Sequence, residues 1–490
     1  MSYAATLAFV LAVGLYLIIG VQTGRGTRSI DDYLPILPGR KARVDDTRQF
    51  SSSTVATTIS LATVVMAYFE LAPQFGVWLF WTVITTVLGL LAVWAVAPRI
   101  WKKIETYDHR PTLHEFLGEE FSSPALSVIA ASATSLGFLG AFAVELTVGG
   151  RFLAGLVPEI PIWITVAVLS AVAFIYTSAG GFRAVILTDR LQMGAIWVLL
   201  AMLSVYYVYY VGTHGGWSQR FAEVPASVVN LTWRGGLTSF LIGVSILNVP
   251  IYISDMSVWQ RIAGSQESQT VYRGLLSSTV ETGISWSILI ILACMAFMVA
   301  ESGSSTNLLL SVLNTIEGGS AVGYGLLFII AFGLYACMLS TASTQLIAAS
   351  HTLYEDILSR AGRNLPLAER LNSESEVRLS RLFLLAVALL ATAVVALLIA
   401  AGFSIADLVF AVYGAQLGLV VPVLLSLFAD RETLSRLSKW ATLAVGLGFA
   451  AGWAAAVVGK IIGSPNLIFL APAASLGVSC TLVLVGFVYR

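Results

Sequence analysis

Charge is what this sequence has least of: only 11% of its 490 residues are Asp, Glu, Lys or Arg, while 57% are apolar. A soluble protein of this length needs far more charge to cover its surface. An excess of one sign is also missing, with 27 basic and 27 acidic residues, and no basic face for nucleic acid stands out. Cysteine is scarce. Cys294, Cys337 and Cys480 lie far apart inside apolar stretches and lack metal-ligand spacing, which favours small packing residues over a disulfide or a metal site. Histidine is nearly as scarce. His109, His114, His214 and His351 fall at expected loops or span ends, with no H-E-x-x-H spacing and no nucleophile–base pair, so nothing points to an enzyme.

What is present is apolar sequence arranged in segments. Residues 3–20, 77–97 and 379–402 are each nearly free of charge for about 20 residues, the length that crosses a bilayer as helix. Helix is the expected form, because lipid offers no partner to an open backbone group. Thirteen candidate spans fall near 3–20, 49–76, 77–97, 124–150, 160–179, 187–213, 237–260, 274–301, 323–357, 379–402, 404–429, 437–459 and 467–489. No Lys or Arg precedes the first and no cleavage signal is evident, so it is expected to be a retained span. With the N-terminus outside and the C-terminus in the cytoplasm, 23 of the 27 basic residues fall inside, leaving Arg151, Arg220, Arg234 and Lys460 outside. The polar stretches 21–48, 98–123 and 358–378 are too short for an independent core, so one integral membrane domain is expected.

Polar groups inside spans are costly and usually face a protein interior or a water path. Eight of the thirteen residues from Ser51 to Thr63 are Ser or Thr, and Glu70 and Pro73 follow. This composition fits a helix broken at mid-membrane, where transporters bind ions and solutes, and it also fits a small-residue packing face. Cys337, Ser340, Thr341 and Thr344 are spaced i, i+3, i+4, i+7 and share one helix face, with Ser343 beside them. Hydroxyl and carbonyl oxygens suit a hard cation such as sodium, though hydroxyl stripes also serve helix packing. Asp189 follows a Gly180-Gly181 turn, where it either pairs with Arg183 or Arg190 or takes a functional role. Glu145 and Asp255 lie in the fourth and seventh spans. Asp407 is expected to be solvated and Glu281 structural.

Several stretches resemble the sodium:solute symporter family. Gly180-Gly181-Phe182-Arg183-Ala184-Val185 through Thr188, Asp189 and Gln192 is similar to its Gly-Gly-x-x-Ala-Val-x-x-Thr-Asp-x-x-Gln signature. Met338-Leu339-Ser340-Thr341-Ala342-Ser343-Thr344-Gln345-Leu346 resembles its ninth-span segment. Thr112-Leu113-His114-Glu115-Phe116-Leu117 and Trp259-Gln260-Arg261 add to the likeness. The resemblance implies an all-α LeuT-type core of two inverted five-helix repeats, over 49–213 and 237–429, with peripheral helices at 1–20 and 437–490. It implies a sodium ion held by backbone carbonyls of Ala56, Ile59 and Cys337 and hydroxyls of Ser340 and Thr341. A second sodium near Asp189, Ser340, Ser343 and Thr344 is the pattern of some members. The stretch from Val64 to Pro73 departs from the family by lacking a glycine-rich turn and by adding Glu70.

The expected function is therefore sodium-driven uptake of a small organic solute across the plasma (inner) membrane, with sodium as coupling ion and no other cofactor. Thr58, Thr63, Glu145, Asp255 and Tyr413 are expected to line the solute pocket, with Tyr68, Phe69 and Trp259 available to close it. Glu70, Glu145 and Asp255 have no evident basic partner in the spans, which fits either a solute bearing an amine, such as an amino acid, or carboxyls that are protonated or hydrogen-bonded to helix neighbours. A proton-coupled carrier and a transporter-like sensor are the alternatives. A sensor is expected to carry a signalling domain, and none follows Arg490.

Overall fold

The computed structural model describes residues 2–25, 33, 44, 46–300, 307–316, 320–359 and 373–489. Arg28, Arg40, Lys41 and Arg43 of the first basic loop lie outside these. The described chain is helical, with no strand beyond an isolated bridge between Val44 and Ser265.

Eleven helices among the described residues are long and apolar enough to cross a membrane, not thirteen. The difference arises at two continuous stretches, Leu61–Ile104 and Ile162–Thr213. The second, at 52 residues, would extend about 78 Å if straight, more than twice the hydrocarbon thickness. It folds back at Gly181, whose φ of 58° and ψ of −154° are not helical. The first stretch bends at Gly76, with φ 50°. A Cβ at Gly181 would lie 2.5 Å from the Tyr33 carbonyl oxygen, so both the backbone angle and the space demand glycine there.

Burial sorts the helices into centre and periphery. The best-buried stretches belong to α6 (Pro124–Leu156) and to the Ile405–Phe428 segment that opens with α13 (Ile405–Ala415), each 72% buried. α11 (Ala321–His351) is buried almost continuously from Ala331 to its end. By contrast α1 (Ser2–Gly24), α12 (Ser373–Ala400), α14 (Arg431–Ile461) and α15 (Ala471–Val488) bury about a third or less. Exposed Leu, Ile and Val on these outer helices are what a lipid-facing surface requires.

The second span is two helices. α2 (Thr47–Thr58) begins at Asp46, which caps Gln49 N at 2.7 Å. The chain leaves the helix at Ile59 and Ser60, then resumes as a π-helical segment, Leu61–Met66, and α3 (Ala67–Phe75). After α4 (Phe80–Ile104) comes the short helix α5 (Leu113–Glu120), capped by Thr112 Oγ1 on Glu115 N at 3.0 Å. Likewise α8 (Leu237–Ser254) is followed by a short helix, α9 (Met256–Ala263), before α10 (Ser268–Met295).

Gly181→Ala is expected to destabilise the protein by about 1–3 kcal/mol or more, since φ 58° with ψ −154° is backbone essentially reserved for glycine and the new Cβ would also meet the Tyr33 carbonyl. Gly194→Ala, in the same stretch (α7, Ile162–Thr213) with nothing within 4 Å of its Cβ, should be neutral or slightly stabilising. Thermal unfolding of the two purified variants in detergent measures the contrast.

Candidate functional site

The break at Ile59–Ser60 creates the site. A ψ of 69° at Ile59 turns the chain out of the helix, so the i+4 donors of the last α2 carbonyls are lost. Thr63 N, which would serve Ile59, is taken by Ser60 Oγ at 2.8 Å. Ser60 in turn donates to Glu145 Oε1, and Ala62 N donates to Glu145 Oε2 at 3.4 Å. Glu145 is fully buried behind the break, where a carboxylate faces the N-terminus of the resumed helix. It does not line the cavity described below, so the expectation that it touches solute gives way to a capping position.

On the other side of the break lies α11. Thr341 Oγ1 is 3.4 Å from Thr57 O and 3.3 Å from Cys337 O, bridging the two helices. Ser340 Oγ is buried without a completed hydrogen bond. Ala56, Ile59 and Cys337 are fully buried. The five positions of this α2–α11 seam are thus all buried, at the α2 end of the break and on the helix that Thr341 joins to it, and they include carbonyl and hydroxyl oxygens.

Asp189 is also fully buried. Its partner is neither Arg183 nor Arg190 but Arg261 on α9, with Nη2 3.5 Å from Oδ2. Ser53 Oγ donates to the same oxygen at 2.6 Å. Arg261, itself buried, also donates through Nε to Ser53 Oγ at 3.0 Å and reaches Thr344 Oγ1 at 3.5 Å. Asp189 Oδ1 has no completed hydrogen bond, although Ser340 is close enough to act on the carboxylate. Ser343 Oγ donates to Ser340 O at 3.0 Å. The four candidate residues of the second site are therefore neighbours, with a guanidinium already among them.

A cavity of about 1190 Å³, counting its open mouth, adjoins this seam. Thr58, Thr63, Asp255 and Tyr413 line it, as does Tyr68. Trp259 instead packs against Phe116, with ring centroids 5.1 Å apart, and donates to Pro111 O at 3.0 Å. The walls include Thr54 and Arg261 as well as Leu71, Phe240 and Ala406. Polar wall residues that the sequence did not single out include Asn248, which donates to Thr85 Oγ1 at 3.2 Å, and Gln345, which donates to Tyr413 Oη at 2.9 Å. Gln345 directly follows the hydroxyl stripe, but no sequence signal marked Asn248.

Three of the other carboxylates, Glu70, Asp255 and Asp407, accept from backbone, and Glu281 accepts from hydroxyls. Glu70 Oε1 accepts from Ile405 N at 3.1 Å and Ala406 N at 3.4 Å, tying α3 to the start of α13. Asp255 Oδ1 accepts from Ser257 N at 2.7 Å and Val258 N at 3.2 Å, capping α9, while the residue still faces the cavity. Asp407 is not simply solvated: it completes a capping box with Ser404 and lies 3.3 Å from Lys460 Nζ. Glu281 accepts from Ser51 at 2.8 Å and from Ser277 at 3.0 Å.

Removing the guanidinium alone leaves Asp189 buried without its cation, so Arg261→Gln is expected to cost about 3–5 kcal/mol. Adding Asp189→Asn should restore part of that stability, giving a coupling of about 1–3 kcal/mol in a double-mutant cycle read by thermal unfolding.

A model of the sodium:solute symporter family matches residues 50–435. Among solved structures, a Na+-coupled sialic acid symporter in its substrate-bound outward-open state aligns with a TM-score of 0.74 at 17% identity, covering 99% of this chain and 98% of that one. Mhp1, a nucleobase-cation-symport-1 family transporter, aligns at 0.54 and 13% identity, over 94% of this chain and 96% of its own. MhsT in complex with L-phenylalanine aligns at 0.53 and 12%, over 90% and 97%. At these identities the likeness is one of fold, and the fold is LeuT-type. A comparison with curated protein sequences gave no match.

Proposed function

This chain belongs to the sodium:solute symporter family, and we propose that it carries a small amine-bearing solute into the cell with sodium bound at the break in the second span. Membership makes it a multi-pass membrane transporter, and not an enzyme, that couples sodium to solute uptake. The observation that carries the ion site is the seam itself. The break leaves the α2 end at Ala56–Ile59 without its helical donors, Thr341 of α11 meets that end at Thr57 O, and Cys337 and Ser340 are buried on the same helix as Thr341. Hard oxygen donors without a built-in cation suit sodium. Bound there, the ion would tie α2 to α11 and favour the state in which the cavity is complete.

The second sodium belongs to the same proposal, with Asp189, Ser340, Ser343 and Thr344 as its donors. Asp189 Oδ1 and Ser340 Oγ are the atoms free to take it. The solute would lie in the cavity against Thr58, Thr63, Asp255 and Tyr413. Asp255 supplies a negative charge at the wall, and Tyr68 and Tyr413 add aromatic faces. With the N-terminus outside and the C-terminus in the cytoplasm, the α5 end of the bundle would lie on the cytoplasmic side.

In proteoliposomes, Ser340→Ala with Thr341→Ala is expected to raise the sodium concentration for half-maximal uptake by about tenfold or more, the consequence of losing two oxygen ligands. Unchanged sodium dependence in folded double mutant, or full uptake driven by a pH gradient without sodium, would remove the site. For the second site, Asp189→Asn should lower the number of sodium ions moved per solute, measured by paired isotope fluxes. An effect on stability alone assigns Asp189 to the ion pair.

Competition of uptake by amine-bearing solutes, neutral sugars and simple carboxylates tests the solute class. Amines should win, and Asp255→Asn should weaken their competition by about tenfold or more, as for loss of a charged hydrogen bond. Preference for a sugar or monocarboxylate rejects the amine.

A further inference from the structure

Three titratable side chains are buried together outside the cavity, at the α5 end of the bundle. They are His114 on α5, His351 at the end of α11, and Asp356 in the π-helical turn Thr352–Ser359 that extends α11. His114 and His351 do fall between spans and at a span end, as expected, yet both are fully enclosed there. His114 Nδ1 lies 2.7 Å from Asp356 Oδ2, and His114 Nε2 lies 2.9 Å from Thr134 Oγ1 on α6. Thr112, the N-cap of α5, donates to Asp356 Oδ1. Gln260 Nε2, on α9, meets His351 Nδ1 at 3.0 Å.

This cluster joins α5, α6, α9 and α11 at one point outside the cavity, one residue along α9 from Arg261 in its wall. A buried carboxylate–imidazole pair is strong only while its geometry and dryness persist. Three buried atoms beside it, His351 Nε2, Gln260 Oε1 and Thr352 Oγ1, have no hydrogen-bond partner. Buried polar atoms are normally paired, so this arrangement satisfies the network only in part. A π-helical turn is uncommon and is frequently found at functional sites. Two elements lead from the cluster to the transport sites. Gln260 adjoins Arg261, which lines the cavity and holds Asp189. Asp356 lies about 24 Å along the same continuous helical path as Ser340, taking the rise of an α-helix throughout.

We propose that the His114–Asp356 pair is the latch that holds the cavity closed at the α5 end, and that it parts before solute and sodium leave there. The inference rests on the transport reading above. His114 and Asp356 act as positioning residues. In the closed state the pair is dry. Once α5 and the end of α11 separate, entering water solvates both groups and the three unpaired atoms, so the open state is not left with buried unpaired charge.

Sodium-22 leak in the absence of solute tests the latch, because a carrier that opens at the wrong end leaks its coupling ion. The measurement uses full-length protein in proteoliposomes, normalised to the amount reconstituted. His114→Ala and Asp356→Asn are expected to raise leak per molecule by about tenfold, the shift for loss of one charged hydrogen bond. Thr112→Val, which removes one arm and leaves the pair, should give a smaller rise, and it is the variant to read if the other two do not reach the membrane. A purely structural role would lower the amount of folded protein without raising leak per molecule. Wild-type leak per molecule in every variant that reconstitutes overturns the latch. Wild-type protein without any sodium-dependent uptake, across a panel of labelled solutes, would instead overturn the transport reading.

Discussion

Inside a bilayer a backbone group that leaves its helix finds no water, and leaving it unpaired costs several kcal/mol. The break at Ile59–Ser60 imposes that demand on the centre of this molecule, and the surrounding packing answers it. Ser60 turns back to Thr63 N, and Glu145 reaches across from α6 to Ser60 Oγ and Ala62 N. Thr341 approaches from α11 on the opposite side. α11 comes this close because its facing residues are small: Ala336, Cys337, Ser340, Thr341 and Ser343. A packed apolar seam would leave carbonyls stranded, whereas a seam of hydroxyls leaves them available to an ion.

The carboxylates follow the same logic, and this alters the weight each can bear in a functional argument. Glu70, Glu145 and Asp255 each accept from backbone N–H groups where a helix starts. The helix N-terminus supplies the positive field that each would otherwise have to find in a lysine, an arginine or a ligand. Carboxylates without basic partners in the spans are thus explained first by helix starts. Only Asp255 both caps a helix and faces the cavity, so the case for an amine rests on it alone.

The spans, the broken second helix and the hydroxyl stripe were legible in the sequence because each is a local property. Hydropathy over about 20 residues, a run of eight Ser and Thr, and an i, i+3, i+4, i+7 pattern all act within one or two helices. Gly181 was legible as a turn, and the chain leaves helical geometry both there and at Gly76, where two of the expected span boundaries fall. Partners distant in sequence were invisible. Asp189 and Arg261 are separated by 72 residues, Ser60 and Glu145 by 85, and His114 and Asp356 by 242. Charge neighbours within a few residues, such as Arg183 and Arg190, were the natural guess for Asp189, and they sit on outward-turned positions of α7. Histidine near a span end reads as exposed until the short helix α5 is seen folding over it.

Two elements carry the connections between layers. α9 is only eight residues long, yet successive parts of it serve three places: Asp255 at its cap faces the cavity, Gln260 meets His351, and Arg261 holds Asp189 and Ser53. A displacement of so short a rigid unit changes all three contacts at once. α11 does the same along its length, with Ser340 and Thr341 at the break and His351 and Asp356 at the end. Packed interfaces of this kind shift between discrete arrangements more readily than they deform continuously. The proposed ion at the break and the latch at the α5 end would therefore act on one equilibrium, since each fixes the same helix against different neighbours. Coupling of this form needs no separate pathway between the sites, because the two contacts are made by one body.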